Sequence, residues 1–284
     1  MSLNELSMSE DSLHTFSKVF ESYGFDIKRY KTAFMKRRLD RRMRVLEIND
    51  YFEYATVLKN ERREFEELFT SLSINVTNFF RDSAVYDKFR LFIIPKILSG
   101  LEQRYKIRVW SAGCASGEEA YSLAIMFTYA IGKTNNFDVE IIANDINPNA
   151  IEYAQSGRYS EKSITKLPPE VVANYFQKIA DSENNVGYEV IPSIKNLVTF
   201  KVGDILSNDS KNLDVIFCRN VLIYYEKEAQ EIIMTKFHHC LKESGYLVLG
   251  MDETMLGRRC EKLFNPLLAR ERIYQKIAVP SNPK

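Results

Sequence analysis

Val109-Trp110-Ser111-Ala112-Gly113-Cys114-Ala115-Ser116-Gly117-Glu118-Glu119 passes from a β-favouring run through small residues into two acids, and that order decides the fold. Residues 107–112 predict a buried strand, the small residues a tight turn, and residues 120–130 a helix. Small side chains after a strand let a ligand approach the backbone. The loop does not fit the phosphate-loop pattern, because Gly117 precedes Glu118 and Glu119 rather than a lysine and a hydroxyl residue. Two carboxylates at a helix start repel a triphosphate and suit a ligand that carries positive charge.

Working outward, the same rhythm repeats. Residues 139–143 lead to Asn144-Asp145 and a helix over 148–155; 198–202 lead to Gly203-Asp204; 214–218 to Arg219-Asn220; 246–249 to Gly250. Strands alternating with helices imply a largely parallel sheet covered on both faces, with a ligand in the crevice at the strands' carboxyl ends. Residues 157–195 interrupt the alternation. They include Pro168-Pro169 and an alternating stretch at 187–191, and so predict an inserted subdomain. Residues 272–279 predict a last, antiparallel strand, and 280–284 a frayed end.

Upstream, apolar residues recur at helical intervals over 13–67, with Gly24 as a break, followed by a polar turn over 71–78 and a helix over 83–98. Six of the nine residues from Lys36 to Arg44 are basic. At about 100° per residue, Arg37, Arg38, Arg41, Arg42 and Arg44 fall on one arc, and Met35, Leu39, Met43 and Leu46 on another. A charge run is ordinarily a solvated face. Five arginines, each able to grip a carboxylate or phosphate with two donors, favour an acidic partner surface instead.

Bulk properties narrow the field. The chain has 284 residues, 45% hydrophobic and 27% charged, enough for a large catalytic domain with an appendage. No apolar run approaches the ~20 residues that span a bilayer, and residues 1–11 lack the pattern of a secretory signal. A cytoplasmic protein without direct membrane insertion is expected. Cys114, Cys218, Cys240 and Cys260 are scattered, and His14, His238 and His239 lack metal-ligand spacing, so no metal site is expected. A net charge of +1 argues against nucleic acid as partner.

The strand-end acids point to one chemistry. An ammonium beside a sulfonium, the reactive end of S-adenosylmethionine, suits Glu118; Asp145 suits the ribose hydroxyls, and Asp204 the adenine amino group. Taken singly, Glu118 is also an ordinary helix N-terminal charge, favourable by about 0.3–1 kcal/mol, and Asp145 a helix cap. The run from Asp214 through Cys218, Arg219 and Asn220 to Tyr224 and Tyr225 places an asparagine and then aromatics beside the same crevice.

Four blocks carry a family resemblance: Ser73-Ile74-Asn75-Val76-Thr77-Asn78-Phe79-Phe80-Arg81-Asp82, the loop through Gly117-Glu118-Glu119-Ala120-Tyr121-Ser122, Ala143-Asn144-Asp145-Ile146-Asn147, and Phe217-Cys218-Arg219-Asn220-Val221-Leu222-Ile223-Tyr224. In order and spacing they closely resemble the chemotaxis-receptor glutamate methyltransferases of the CheR type, over about residues 13–277. The resemblance implies an α/β protein. It would have an N-terminal helical domain and linker at 1–82 and a Rossmann-like S-adenosylmethionine-dependent methyltransferase domain at 83–284, with a small antiparallel β-subdomain inserted at about 157–195.

The resemblance also assigns roles. Asn75, Thr77, Arg81, Glu118, Asp145, Asp204, Ile205, Arg219 and Asn220 match cofactor-contacting positions. Arg81 and Tyr224 match acceptor-holding positions, and Arg38, Arg41 and Arg42 the receptor-facing helix. Its partners would be the cytoplasmic helical region of chemotaxis receptors and, in some members, a receptor's C-terminal tail added as a strand to the subdomain; a monomer is expected. Ala120, Asn147, Asp204 and Met251-Asp252 depart from the usual family residues. The expected reaction is displacement by a glutamate oxygen at the sulfonium methyl, giving a methyl ester and S-adenosylhomocysteine.

Two other readings are a nucleic-acid methyltransferase and a catalytically silent receptor-docking module. The first lacks an Asn/Asp-Pro-Pro-aromatic run after the fourth strand, where Asn220-Val221-Leu222-Ile223 stands; the second does not explain intact cofactor and acceptor motifs.

Overall fold

A computed structural model describes residues 9–23, 25–72, 77–99, 105–132, 137–180, 186–254 and 258–278. The chain divides into two compact units, Met1–Ile74 with Tyr224–Gln230, and Asn75–Ile223 with Glu231–Lys284.

The first unit is built on helices α1 (Glu10–Ser22), α2 (Thr32–Val45), α3 (Tyr51–Asn60) and α4 (Arg62–Leu72). Ser9 caps α1 by accepting from Ser12 N–H at 3.2 Å, and Asp50 caps α3 by accepting from Glu53 N–H at 2.8 Å. Phe16, Phe20, Leu39, Met43, Tyr54, Leu58 and Leu68 have no exposed surface. A buried side chain of that size contributes about 1.5–3 kcal/mol.

Two tyrosine–carboxylate–cation knots lock the helices. Glu64 accepts from Arg42 Nε at 2.9 Å and Tyr54 OH at 2.7 Å; Asp40 accepts from Tyr51 OH at 2.5 Å and Lys36 Nζ at 2.7 Å. Both differ from the arc read off the sequence. Arg42 turns toward α4 rather than joining the exposed arginines, because buried Glu64 needs a cation. Leu46, placed on the apolar arc, is 38% exposed, because α2 ends at Val45.

A segment distant in sequence completes this unit. Lys31 N–H donates to Tyr224 O at 2.9 Å, Glu226 N–H to Arg29 O at 2.8 Å, and the Tyr30 and Tyr225 hydroxyls meet at 2.8 Å. Tyr224 packs on Phe34, with ring centroids 4.7 Å apart.

The second unit begins its described part at Thr77. The helix expected over 83–98 is three pieces: α5 (Ser83–Lys88), a π turn (Phe89–Ile93) and α6 (Ile94–Leu98). Pro95 has no N–H to continue the ladder, and the wider turn accommodates it. Strands β1 (Tyr105–Ala112) and β2 (Phe137–Asp145) flank α7 (Glu118–Ile131), and α8 (Pro148–Ser156) follows.

The insertion comprises β3 (Arg158–Ser160), α9 (Glu161–Ile164), α10 (Pro169–Tyr175), β4 (Phe176–Ala180), β5 (Val186–Val190) and α11 (Pro192–Lys195). The main sheet continues through β6 (Val198–Val202), β7 (Leu213–Cys218), α12 (Lys227–Cys240), β8 (Leu241–Leu249), α13 (Arg258–Glu261), β9 (Phe264–Leu268) and β10 (Ile273–Lys276).

The seven-stranded sheet has the order β6-β2-β1-β7-β8-β10-β9, and the insertion forms a separate antiparallel sheet, β3-β5-β4. β6, β2, β1, β7 and β8 run parallel, β10 runs antiparallel to β8, and β9 runs antiparallel to β10. This is the fold class expected from the alternation and the resemblance. β9 escaped the sequence reading: Pro266 breaks its pattern, as a proline does on an edge strand. Val109, Trp110, Ser111 and Ala112 are all wholly buried, as a central strand covered on both faces requires.

Candidate functional site

β1 lies between β2 on one side and β7 on the other, so the order reverses at the β1/β7 boundary, and in sheets of this kind ligands bind at that point, outside the carboxyl ends of the strands. Ser111↔Ala143 and Ser111↔Phe217 set the register, so the loops after all three strands emerge together.

The β1 loop is built for close approach. Gly113 (φ 81°) and Gly117 (φ 93°) adopt left-handed backbone; a Cβ on Gly113 would lie 2.5 Å from Val221 Cγ2, and one on Gly117 2.8 Å from Ala154 Cβ. Gly113 N–H and Cys114 N–H both donate to Asn144 O, at 2.9 and 3.0 Å. Trp110 Nε1 donates to Asn144 Oδ1 at 2.7 Å, and Asn144 Nδ2 to Gly203 O at 2.7 Å, which ties the ends of β1, β2 and β6.

Four expected cofactor positions lie on these loops. Asp145 is buried, accepting from Ala115 N–H and Asn147 N–H, each at 2.9 Å. Glu118 is buried at the start of α7, accepting from Ser116 Oγ at 2.7 Å. Burial pushes both carboxyls above their ordinary range, against hydrogen bonds that pull them back. Asp204, after β6, accepts from Leu206 N–H at 2.6 Å, and Ile205 is buried beside it. α8 is capped by Asn147, not by Asp145.

The β7 loop is held from both sides. Asn220 is left-handed (φ 60°), and the buried carboxylate of Glu253 accepts from four N–H groups: Asn220 at 2.9 Å, Val221 and Leu222 at 2.7 Å, and Gly250 at 2.6 Å. The sequence reading gave Glu253 no role; a glutamate one residue past a strand-end turn carries no signal of what lies across the sheet. Arg219 donates from Nη1 to Arg81 O at 2.9 Å and from Nη2 to Asp82 Oδ2 at 2.6 Å, and its guanidinium lies over the Tyr86 ring at 5.7 Å.

Arg81 sits in a turn with two left-handed non-glycine neighbours, Phe80 (φ 48°) and Asp82 (φ 56°). Each such residue costs about 1–3 kcal/mol and persists only where its surroundings dictate it. Phe80 N–H donates to Ser122 Oγ at 2.9 Å, and Phe79 packs edge-on against Tyr159 and Phe176. Thr77 is half-buried at the start of this segment. Asn75 lies outside the described residues.

The remaining expected residues belong to the helical unit. Arg41 is exposed; Arg38 is half-buried, with its guanidinium 5.4 Å from the Phe34 ring centre. Burial, and then Arg37 and Arg41, lower its pKa. Arg42 is tied to Glu64, and Tyr224 lies against Phe34.

The donor set fits a cationic, hydroxyl-bearing ligand. Glu118 and Asp145 are met by hydroxyl and backbone donors and, among the described residues, by no lysine or arginine. No group of three His, Cys, Asp or Glu side chains among the described residues is placed to hold a metal. No described helix is long and apolar enough to cross a membrane.

Comparison with known proteins agrees with this geometry. Residues 75–268 match the family model described as CheR methyltransferase, SAM binding domain, and residues 15–73 that described as CheR methyltransferase, all-alpha domain. The chain is 31% identical over 263 residues to a chemotaxis protein methyltransferase of Borreliella burgdorferi, spanning 89% of this chain and 92% of the relative. It is 32% identical over 251 residues to a chemotaxis protein methyltransferase of Listeria innocua, spanning 88% and 92%. Among solved structures it is similar to magnesium protoporphyrin IX methyltransferase from Synechocystis with bound SAM, at 16% identity and a TM-score of 0.39, covering 69% of this chain and 80% of that one.

Proposed function

The chain belongs to the CheR methyltransferase family, and on that premise we propose that it uses S-adenosylmethionine to methylate glutamate side chains of chemotaxis receptors, leaving methyl esters and S-adenosylhomocysteine. The observation that carries this reading is the pair of buried carboxylates, Asp145 at the end of β2 and Glu118 at the start of α7, neither paired with a cation among the described residues.

When bound, S-adenosylmethionine supplies a methyl group on a sulfonium sulfur, open to displacement by a carboxylate oxygen. Glu118 takes the ammonium end, Asp145 the ribose hydroxyls and Asp204, with Ile205 beside it, the adenine amino group, while the main chain at Arg219-Asn220 meets the cofactor beside the transfer site. Thr77 and Asn75 complete the set. A glutamate acceptor is already ionised near neutral pH, so no strong base is needed. The protein's work is to orient the acceptor and exclude water.

Arg81 holds the acceptor carboxylate through its planar fork of donors. Tyr224 orients the acceptor through its hydroxyl. Arg38 and Arg41 face the acidic surface of the receptor's cytoplasmic helices, with Arg42 bracing their helix through Glu64 instead. The protein acts in the cytoplasm as a monomer. Docking of a receptor tail to the three-stranded sheet is an additional mode open to it.

The test is transfer of labelled methyl from S-adenosylmethionine to receptor-bearing membranes, followed by base. Release of volatile methanol is the expected outcome. Label that resists base keeps the methyl transfer and overturns the glutamate acceptor; no label, beside tight S-adenosylhomocysteine binding, overturns catalysis itself.

A further inference from the structure

Arg219 stands at a position where the family resemblance puts a cofactor contact, yet its side chain is only 2% exposed. Two of its donors are committed inside the protein, Nη1 to Arg81 O and Nη2 to the Asp82 carboxylate; Nη1 also lies within 3.9 Å of Glu119 Oε2, while Nε is buried with no hydrogen-bond partner among the described residues. Glu119 is in turn held by Ser111 Oγ at 2.8 Å, so the chain of contacts runs from the carboxyl end of β1 through the start of α7 to the end of β7. An arginine so enclosed has little surface left with which to touch a ligand.

What it does touch is the turn carrying Arg81. That turn has left-handed Phe80 and Asp82 on either side of Arg81, a conformation that must be imposed from outside. Phe80 is fixed at its N–H by Ser122, and Arg81 and Asp82 by Arg219. We propose that Arg219 is a positioning residue for methyl transfer, clamping the residue 80–82 turn by its two-pronged grip on Arg81 O and Asp82 so that the Arg81 guanidinium is held ready for the acceptor carboxylate. The clamp rests on the methyl-transfer reading for its purpose, but its mechanics do not depend on it.

A lysine keeps the charge and loses the fork. In the full-length chain, Arg219→Lys is expected to leave S-adenosylhomocysteine affinity within about threefold and to lower kcat about tenfold or more, at little cost in KM for S-adenosylmethionine. In an Arg81→Ala background the same substitution should cost less than about threefold further, because the two residues act as one unit.

Amide hydrogen exchange at residues 80–83, followed without acceptor, should quicken at least about tenfold in Arg219→Lys. Asp82→Asn, at a side chain 40% exposed, repeats the test with little risk to folding and should show the same pattern more weakly. A loss of S-adenosylhomocysteine affinity beyond about tenfold, with unchanged exchange at the turn, would overturn the clamp in favour of a direct cofactor contact. Multiplicative effects of Arg219→Lys and Arg81→Ala would overturn it too. If the natural protein transfers no methyl at all, the functional reading fails by itself, and the exchange experiment still decides the clamp.

Discussion

At the amino ends of the seven-stranded sheet acids sit against cations, whereas at the carboxyl ends Glu118 and Asp145 are met, among the described residues, by hydroxyl and backbone donors alone. Asp214 accepts from Tyr105 OH at 2.6 Å, Arg108 N–H at 2.8 Å and Lys242 Nζ at 2.8 Å; Glu140 lies 2.9 Å from Arg108 and 3.2 Å from Lys106. The hydrogen bond from Arg108 draws the Glu140 carboxyl below its ordinary range. At the other end burial pushes Glu118, Glu119, Asp145 and Glu253 upward. One end has spent its charge on the fold. At the other, Glu119 faces Arg219 and Glu253 is held by backbone N–H groups, while Glu118 and Asp145 are buried with hydroxyl and backbone donors alone among the described residues, and on that pair the proposed cofactor site rests.

That contrast breaks most readily at Glu253. Glu253→Ala strips four N–H groups of their common acceptor and should lower stability by about 3 kcal/mol, read from denaturant melts. Next comes Asp145→Ala. Loss of a charged acceptor for two loop N–H groups and for the ligand should weaken S-adenosylhomocysteine binding by about 2–3 kcal/mol, roughly 30- to 150-fold by calorimetry.

A pH experiment sharpens the contrast without mutation. Glu118 and Asp145 have raised pKa values in the free protein, so a bound cation should draw them down and release protons. Affinity for S-adenosylmethionine should therefore rise with pH, by less than about tenfold, through the interval just above the ordinary carboxyl range. Calorimetry in buffers of different ionisation heat should register the release; proton uptake would contradict it.

The smallest effect is expected at the amino end. Glu140→Gln should cost about 0.5–1 kcal/mol at neutral pH and leave methyl transfer unchanged within about twofold. Since the folded pKa of Glu140 is lowered, its contribution is present above the unfolded carboxyl pKa and disappears as pH falls through the folded value. The difference between variant and natural protein should close in acid.

Much of the α/β unit was legible because its signals are local. The β1–turn–α7 sequence reads directly, since a buried strand needs apolar residues and a left-handed turn needs glycine at Gly113 and Gly117. The placement of Asp145 and Glu118 was legible for the same reason: Asp145 ends β2, Glu118 opens the helix after β1, and parallel strands bring such positions together. The insertion showed itself by its length and its prolines.

Other features depend on which residues meet across the chain. A helical wheel put Arg42 among the exposed arginines, but Glu64 lies 22 residues on, and only the packing of α4 against α2 brings the two together. Tyr224 follows β7 in sequence, yet Tyr224–Gln230 joins the helical unit through main-chain bonds to Arg29 and Lys31. Glu253 carries no local signal, and the resemblance gave Arg219 a cofactor contact rather than a hold on the Arg81 turn; their partners, Asn220 across 33 residues and Arg81 across 138, meet them only in the folded chain.

Sequence alone was enough for most of the strand–helix alternation, the largely parallel sheet, the acidic loops after β1 and β2 and the family, because each rests on periodicity, backbone conformation or residues close along the chain. Only the tertiary structure decided which charges are spent inside the protein and which are left for a ligand. Desolvation and hydrogen bonding belong to the packed neighbourhood of a side chain, and no local pattern specifies that neighbourhood.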